Sequence, residues 1–326
     1  MRLHDPVYGP LEISEPVLLD LLETQALRRL TGVLQHGITG LIGVTSPTTR
    51  WQHSLGAMWL VRSLGGSLQE QIAALLHDVS HTAFSHVIDY VYHDHQGQSY
   101  HEEQKAWYVE QSDLPATLTR HGYDWRDFLD EAAYPLLEQP APALCADRVD
   151  YFLRDGVDLA LLSPAEIDQI LQHLVVAQGR MAVDSLAVAQ VMAYQFIAAD
   201  DKSWANFAEV ALYELTAQAL RLALDLGAIT EADFWGVDET LWRKLSACQN
   251  ADLQYTLQLI SPTTKFEWAE SDSTFRVGTK IRTIDPDVVV DGGLHPLSTL
   301  DPDFAAYRRD YLQRKAGLWP IKVVTD

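Results

Sequence analysis

Apolar residues return at the three- and four-residue spacing of a helix face over 16–34, 55–64, 68–84, 102–110, 142–162 and 164–175, so the first half of the chain is expected to be helical. Ser163, followed by Pro164 and Glu166, marks one helix start: serine caps free amide groups, proline suits the first turn, and an acid there meets the positive end of the helix. Further helices are expected over 183–197, 203–226 and 238–245. From about residue 264 the period becomes alternating, with Phe275, Val277, Thr279 and Ile281 set against Arg276, Gly278, Lys280 and Arg282, and Asp285-Pro286 ending the run. This predicts a strand that presents Arg276, Lys280 and Arg282 on one face, suited to solvent, a second subunit or an anionic effector. Val288-Val289-Val290 before Gly292-Gly293 predicts another strand, and 304–315 a closing helix. No internal repeat or low-complexity linker interrupts the chain. The expected architecture is mainly α: a core over 1–175, and a helical extension over 176–326 with a small C-terminal α+β appendage packed on that core.

A chain of 326 residues, 47% of them hydrophobic, can bury a large core in one big domain or two small ones. No apolar run approaches the roughly 18 to 20 residues that cross a bilayer. Met1-Arg2-Leu3-His4-Asp5 lacks the charged start and apolar stretch of a secretory leader, so no membrane association and a cytoplasmic location are expected. Cys145 and Cys248 form neither a disulfide framework nor a spaced zinc motif, which fits a reducing compartment. The formal charge of −21 makes nucleic acid an unsuitable partner, since that binding draws on Lys and Arg neutralising phosphates. A small phosphate-bearing substrate stays compatible if a metal ion and a few arginines concentrate positive charge locally.

The chemistry is concentrated in Leu75-Leu76-His77-Asp78-Val79-Ser80-His81-Thr82-Ala83-Phe84-Ser85-His86, where a His-Asp pair is followed by histidines at +4 and +9. Each imidazole in an apolar interior needs a hydrogen-bond partner, so this run is costly as packing and reasonable as a metal site. Arg50-Trp51-Gln52-His53 lies upstream and Asp147-Arg148-Val149-Asp150-Tyr151-Phe152-Leu153-Arg154-Asp155 downstream, giving the order H…HD…D.

With these residues the chain resembles the HD-domain metal-dependent phosphohydrolases, and within them the branch of the deoxynucleoside triphosphate triphosphohydrolases. The resemblance starts at Asp5-Pro6-Val7-Tyr8-Gly9, passes through 24–30 and Gln35-His36-Gly37, and is dense to Asp155. It implies an HD-domain helical bundle in which His53, His77, Asp78 and Asp147 hold one divalent transition metal. Mixed nitrogen and oxygen ligands suit Mn²⁺, Fe²⁺, Co²⁺, Ni²⁺ or Zn²⁺, with Mg²⁺ as an additional ion accompanying a nucleotide. His81, one turn after His77, faces the same side near the metal without being the expected ligand, and as a catalytic residue its imidazole can contact substrate phosphate. The resemblance also makes His86, oriented by Asp89, a proton-transfer group beside the reacting phosphorus, and His101 the residue that protonates the leaving oxygen. Arg50 and Arg148 are expected to hold phosphate, and Gln35, Tyr151 and Asp155 the sugar and its hydroxyl.

The chain departs from that pattern at three places. His36 stands where an apolar residue is usual near the sugar, and Ser80 and Ala83 replace common Gly and Pro. The helix expected to carry basic contacts for a triphosphate instead reads Tyr194 to Asn206 with Asp200-Asp201, whose negative charge would disfavour a long phosphate chain. The sequence therefore predicts a metal-dependent phosphohydrolase acting on a nucleotide or related ester, similar to the triphosphohydrolases. An HD phosphomonoesterase, a cyclic-nucleotide phosphodiesterase and a non-catalytic nucleotide sensor or assembly subunit are the alternatives. A homo-oligomer is expected from the habit of the resembled enzymes.

Overall fold

The computed structural model describes residues 1–324, and helices carry the architecture. Helix Arg50–Ser63 starts in a capping box: the Thr49 hydroxyl accepts the Gln52 amide while the Gln52 carboxamide accepts the Thr49 amide. That lock fixes the first turn, where Arg50 and His53 stand. Helix Leu68–Leu76, capped by the Ser67 hydroxyl, packs along it, and helix Ala146–Asp158 packs on another side. Three helices thus bring His53, His77 and Asp147 toward one point.

Several expected helices are shorter than their apolar pattern. The 16–34 stretch divides into Pro16–Leu22, Gln25–Arg29 and a 3-10 turn at Leu30–Gly32, because Thr24 stops the first piece and caps the second. The helix predicted over 68–84 ends at Leu76, and the chain turns through His77–Ser80, with Phe84 and Ser85 at φ of 62° and 51°. Asp238 holds that turn by accepting the amides of Phe84 and Leu34 through separate oxygens. Gly37 presses against the Phe84 carbonyl so closely that a Cβ there would overlap it, so only glycine lets the Gln35-His36 loop approach the His86 turn. The Ser163 start is observed as a reciprocal capping box with Glu166. The 203–226 stretch breaks at a π turn, Asp200–Trp204, before Asn206 caps helix Phe207–Asp225.

The strands form three small antiparallel-rich sheets, one of them the N-terminal hairpin Arg2–Asp5 with Gly9–Glu12, which no alternation in the sequence announced. Hairpins Leu174–Ala177/Arg180–Val183 and Asp287–Val290/Gly293–Pro296 join in parallel at Val183↔Val288. Trp319–Val324 lies between Lys265–Trp268 and Phe275–Val277.

The row of cations expected on one strand face does not form. Regular structure stops at Val277, because Thr279 and Thr283 are drawn inward and the chain leaves the sheet. Arg276 stays outside with Glu270, whereas Lys280 and Arg282 turn toward a central pocket. One core cluster links the N-terminal hairpin and the metal-bearing helices to Phe304 and Tyr311; a second joins Phe84–Val91 to helix Phe207–Asp225 and the three-stranded sheet.

Candidate metal centre and active site

Two imidazoles and a carboxylate meet at the crossing of the three helices. His53 Nε2 lies 3.1 Å from His77 Nε2 and 3.0 Å from Asp147 Oδ1, and His77 Nε2 lies 3.6 Å from the same oxygen. Asp78 stands slightly behind, with Oδ2 at 3.5 Å from His53 Nε2 and Oδ1 at 3.5 Å from His77 Nε2. Its oxygens are shared with Arg50 Nη1 at 2.6 Å and His81 Nε2 at 3.1 Å.

The far nitrogens fix the tautomers. His53 Nδ1 donates to Asp150 Oδ2 at 2.7 Å, and His77 Nδ1 donates to the Ala74 carbonyl at 2.7 Å. Both Nε2 atoms therefore point into the same small space as the Asp147 oxygen, where neutral imidazole lone pairs repel it unless a proton or a metal cation sits between them. Donors about 2.1 Å from one ion at right angles are about 3 Å apart, which matches this cluster. The electrostatics agree: burial opposes charging of His53, yet hydrogen bonds to Asp147 and Asp150 pull it up to about 10. Against the same burial, the His53 hydrogen bond holds Asp147 well below the usual carboxylate range and Arg50 does so for Asp78. The donor set calls for positive charge, and a divalent metal fits it.

Behind His53 lies a buried ion network that the sequence reading did not include. Asp150 accepts from His53, from Arg154 Nε at 2.8 Å and from the Tyr8 hydroxyl at 2.7 Å, while Arg154 Nη2 reaches Asp5 Oδ2 at 2.9 Å. The signal was the Asp150/Arg154 pair at i, i+4 just after Asp147, together with Asp5 and Tyr8 of the N-terminal motif. Partners of this kind orient a metal-binding imidazole. Gly56 makes the room, since a Cβ there would overlap both the Asp150 carboxylate and the Arg154 guanidinium. Gly56→Ala should therefore destabilise the protein by about 1 to 3 kcal/mol, the usual cost of overpacking. Thermal unfolding and metal analysis would check this: a lower melting temperature and a lower metal content are expected, and a wild-type value for both would contradict the account.

A second group of histidines borders the first. His81 and His101 stack at 3.8 Å between ring centroids, and His86 stands edge-on to both at 5.0 and 5.4 Å. His86 Nδ1 donates to Asp89 Oδ2 at 3.1 Å, and Asp89 Oδ1 accepts the Tyr100 amide, tying His86 to the helix that carries His101. Burial pushes His81 down to about 3 and holds His86 and His101 well below the ordinary histidine value, with Arg50 adding to the effect on His86 and His81 adding to that on His101. All three rings are thus neutral at neutral pH. Burial also raises Asp89 to about 6.

Both groups open into a cavity of about 700 Å³. Gln35, His36, Arg50, Arg148 and Tyr151 line it, as the sequence expects of substrate contacts, and Gln35 Oε1 is buried there without a partner. Asp155 does not reach the cavity: it is 2% exposed and occupied by His36 Nε2 at 2.9 Å and Trp204 Nε1 at 2.6 Å. Arg148 is held by Glu138 Oε1 at 2.8 Å and by the Ala143 carbonyl. Asp200 and Asp201 also stay out of the cavity, so the electrostatic argument drawn from them does not apply; Asp200 is buried and Asp201 pairs with Lys315. Lys105, Lys280, Arg282 and the aromatic wall of Phe196, Trp204 and Tyr213 line it without having been foreseen.

Known proteins match this picture along the whole chain. The HD domain family profile matches residues 50–155, the span from Arg50 to Asp155 that carries both groups. The metal-dependent phosphohydrolase cns2 of Cordyceps militaris is 35% identical over 321 residues, covering 95% of this chain and 92% of its own. The chain belongs to the HD-domain metal-dependent phosphohydrolases. As such it is an enzyme of phosphate esters or anhydrides, and the sensor alternative falls away. The fold of this HD phosphohydrolase is shared with a phosphohydrolase from Bacteroides thetaiotaomicron, at a TM-score of 0.70 and 18% identity over the full length of both chains. The deoxynucleoside triphosphate triphosphohydrolase SAMHD1 of Danio rerio is 33% identical over only 101 residues, 26% of this chain and 16% of its own. Among the described residues, no helix is long and apolar enough to cross a membrane.

Proposed function

We propose that this HD phosphohydrolase removes a single phosphate group from a nucleotide, a monoester substrate in preference to a triphosphate. The charge balance of the cavity carries this reading. Arg50, Lys105 and Arg148 are already paired with Asp78, Glu131 and Glu138 of the same wall. Lys280, Arg282 and Arg308 are the lining cations that meet no carboxylate among the described residues. The remaining lining carboxylates, Asp147, Glu102, Asp130 and Glu209, offset most of the charge of these three cations and one divalent metal, leaving a surplus of about one positive charge that suits a phosphate dianion better than a triphosphate of about twice that charge.

In this reading His53, His77, Asp78 and Asp147 hold the metal, which when bound polarises a phosphoryl oxygen and lowers the pKa of water. Asp150 and Tyr8 orient His53. His86 is neutral with its Nδ1 hydrogen given to Asp89, so its Nε2 is free to take a proton from the attacking water. His101, beside it, serves the leaving oxygen, and His81 braces Asp78. Tyr151, Phe196, Trp204 and Tyr213 offer an aromatic wall of mutually inclined rings against which a base can pack, and the unpartnered Gln35 oxygen accepts a sugar hydroxyl. Asp155 is occupied by His36 Nε2 and Trp204 and lies outside the cavity lining, whereas His36 lines the cavity and keeps Nδ1 for a ribose 2′-hydroxyl.

The test is a phosphate-release screen of the metal-loaded protein across nucleoside monophosphates, triphosphates, deoxynucleotides and cyclic nucleotides. The expected result is inorganic phosphate from monophosphates with kcat/KM at least about tenfold above the matching triphosphates, one charge-assisted contact being worth that much. Ribonucleotides should be accepted as well as deoxynucleotides. Efficient release of intact triphosphate from deoxynucleotides alone would overturn the reading in favour of the triphosphohydrolase activity that the motif order suggests.

A further inference from the structure

The segment Gly278–Thr283 has no regular secondary structure, yet it is firmly held and runs beside the histidines. Its anchors are polar and buried. Asp200 Oδ2 accepts the Arg282 amide at 3.1 Å and the Tyr311 hydroxyl at 2.7 Å, so the carboxylate that looked like a repulsive group in the sequence is instead a peg for this strap. The Thr283 hydroxyl accepts from Arg308 Nε at 2.9 Å. On the pocket side, Lys280 Nζ donates to the Gly97 carbonyl at 3.3 Å, and Arg282 Nη2 donates to Gln98 Oε1. Both partners are neutral and belong to the polar loop that leads into the His101 helix. Two cations are thus held at the cavity rim, Lys280 exposed and Arg282 half-buried, by neutral acceptors and without a carboxylate ion-pair partner for either side chain among the described residues, so both stay available to an anion.

Resting on the reading of this cavity as a phosphate-ester site, we propose that Lys280 and Arg282 are its phosphate-anchoring residues. They grip the substrate's phosphate from the strap side of the cavity and set its affinity. Their positive charge reaches His86, whose basicity both of them lower. The same cavity is lined by His53, His77 and Asp147 and by His86 and His101, so a phosphate held by the strap shares it with the metal ligands and the proton-transfer pair. Arg50 and Arg148 cannot do this without giving up Asp78 and Glu138, whereas the strap cations exchange only neutral acceptors.

The experiment uses the full chain loaded with Mn²⁺ and measures inorganic phosphate binding by calorimetry beside steady-state kinetics on a nucleoside monophosphate. Lys280→Gln and Arg282→Gln should each raise the phosphate Kd and the KM at least about tenfold, and the double variant roughly a hundredfold, with metal content and melting temperature close to wild type. Arg282→Lys, which keeps the charge, should recover part of the loss. Arg276→Gln on the preceding strand, outside the cavity, should behave as wild type. Wild-type phosphate affinity in the double variant, with metal bound, would overturn the proposal. If the wild type prefers triphosphates but the double variant still loses phosphate binding, the monoester reading falls and the strap assignment stands. If monoesters are hydrolysed and the double variant binds phosphate normally, the strap assignment falls alone.

Discussion

His53→Ala, His77→Ala and Asp147→Ala should each leave the purified protein largely free of transition metal and lower kcat by about a thousandfold or more. The size follows from what the metal supplies: several kcal/mol of charge stabilisation at the phosphoryl oxygen, at roughly tenfold in rate for each 1.4 kcal/mol. The geometry says why each removal is severe. The three donors lie 3.0 to 3.6 Å from one another, and no other side chain in the cluster can move up to replace one without abandoning its own partner. Asp78→Ala should lose metal too, and should also release Arg50 and His81, which it holds. Asp150→Asn is the graded case. It keeps the size of the side chain but weakens its hold on His53 Nδ1, and loss of such a supporting partner typically costs 10- to 100-fold in metal affinity. Metal analysis by mass spectrometry, with and without added Mn²⁺, reads all five variants. Wild-type metal in any two of the alanine variants would remove the assignment.

How legible this site was depends on the range over which each part is specified. His77, Asp78, His81 and His86 stand out because their chemistry is out of place in an apolar run, a local property of the sequence, whereas His53 and Asp147 enter through the H…HD…D order and His101 through the family resemblance. The helices Arg50–Ser63, Leu68–Leu76 and Ala146–Asp158 that position His53, His77 and Asp147 are legible through their apolar period. The turn at His77–Ser80 was not, because Leu76, Val79, Ala83 and Phe84 continue a helical pattern while long-range contacts, Asp238 to the Phe84 amide and the close approach of Gly37, impose the break. Asp155 and Asp200 show the opposite error. Both were read as if their charge faced substrate, and each is instead consumed inside the protein, one by His36 and Trp204, the other by Tyr311 and the Arg282 amide. A carboxylate's partner lies up to 119 residues away in these cases, and alternation or spacing carries no record of it. The strap was hidden for a related reason: Phe275 to Arg282 alternates like a strand, and only the inward pull on Thr279 and Thr283 makes it leave the sheet after Val277.

His86→Ala and His101→Ala should keep the metal and lower kcat by roughly a hundredfold or more, the usual scale for a general acid or base. Neither ring belongs to the cluster around His53, so metal content separates this outcome from the previous one. The pH profile adds a readout that a merely structural role would not move. Burial raises Asp89 to about 6 in the folded protein, above the ordinary aspartate value. As the pH falls through about 6, Asp89 takes up a proton and stops accepting the Nδ1 hydrogen of His86, so kcat/KM should decline on the acid side with an inflection there. The stability effect of this group has the opposite sign. Because the folded protein binds its proton more tightly than the unfolded chain, the cost of burying the carboxylate is present in full above about pH 6 and is relieved as the pH falls toward the unfolded value of about 4. Activity should thus be lost between pH 6 and 5 while the contribution of Asp89 to stability improves, which rules out unfolding at that group as the cause. Asp89→Asn cannot titrate and should remove the inflection at a lowered, flat kcat. An acid limb that is unchanged in Asp89→Asn, or a double His86→Ala, His101→Ala variant with wild-type kcat, would show that the proton passes through neither histidine.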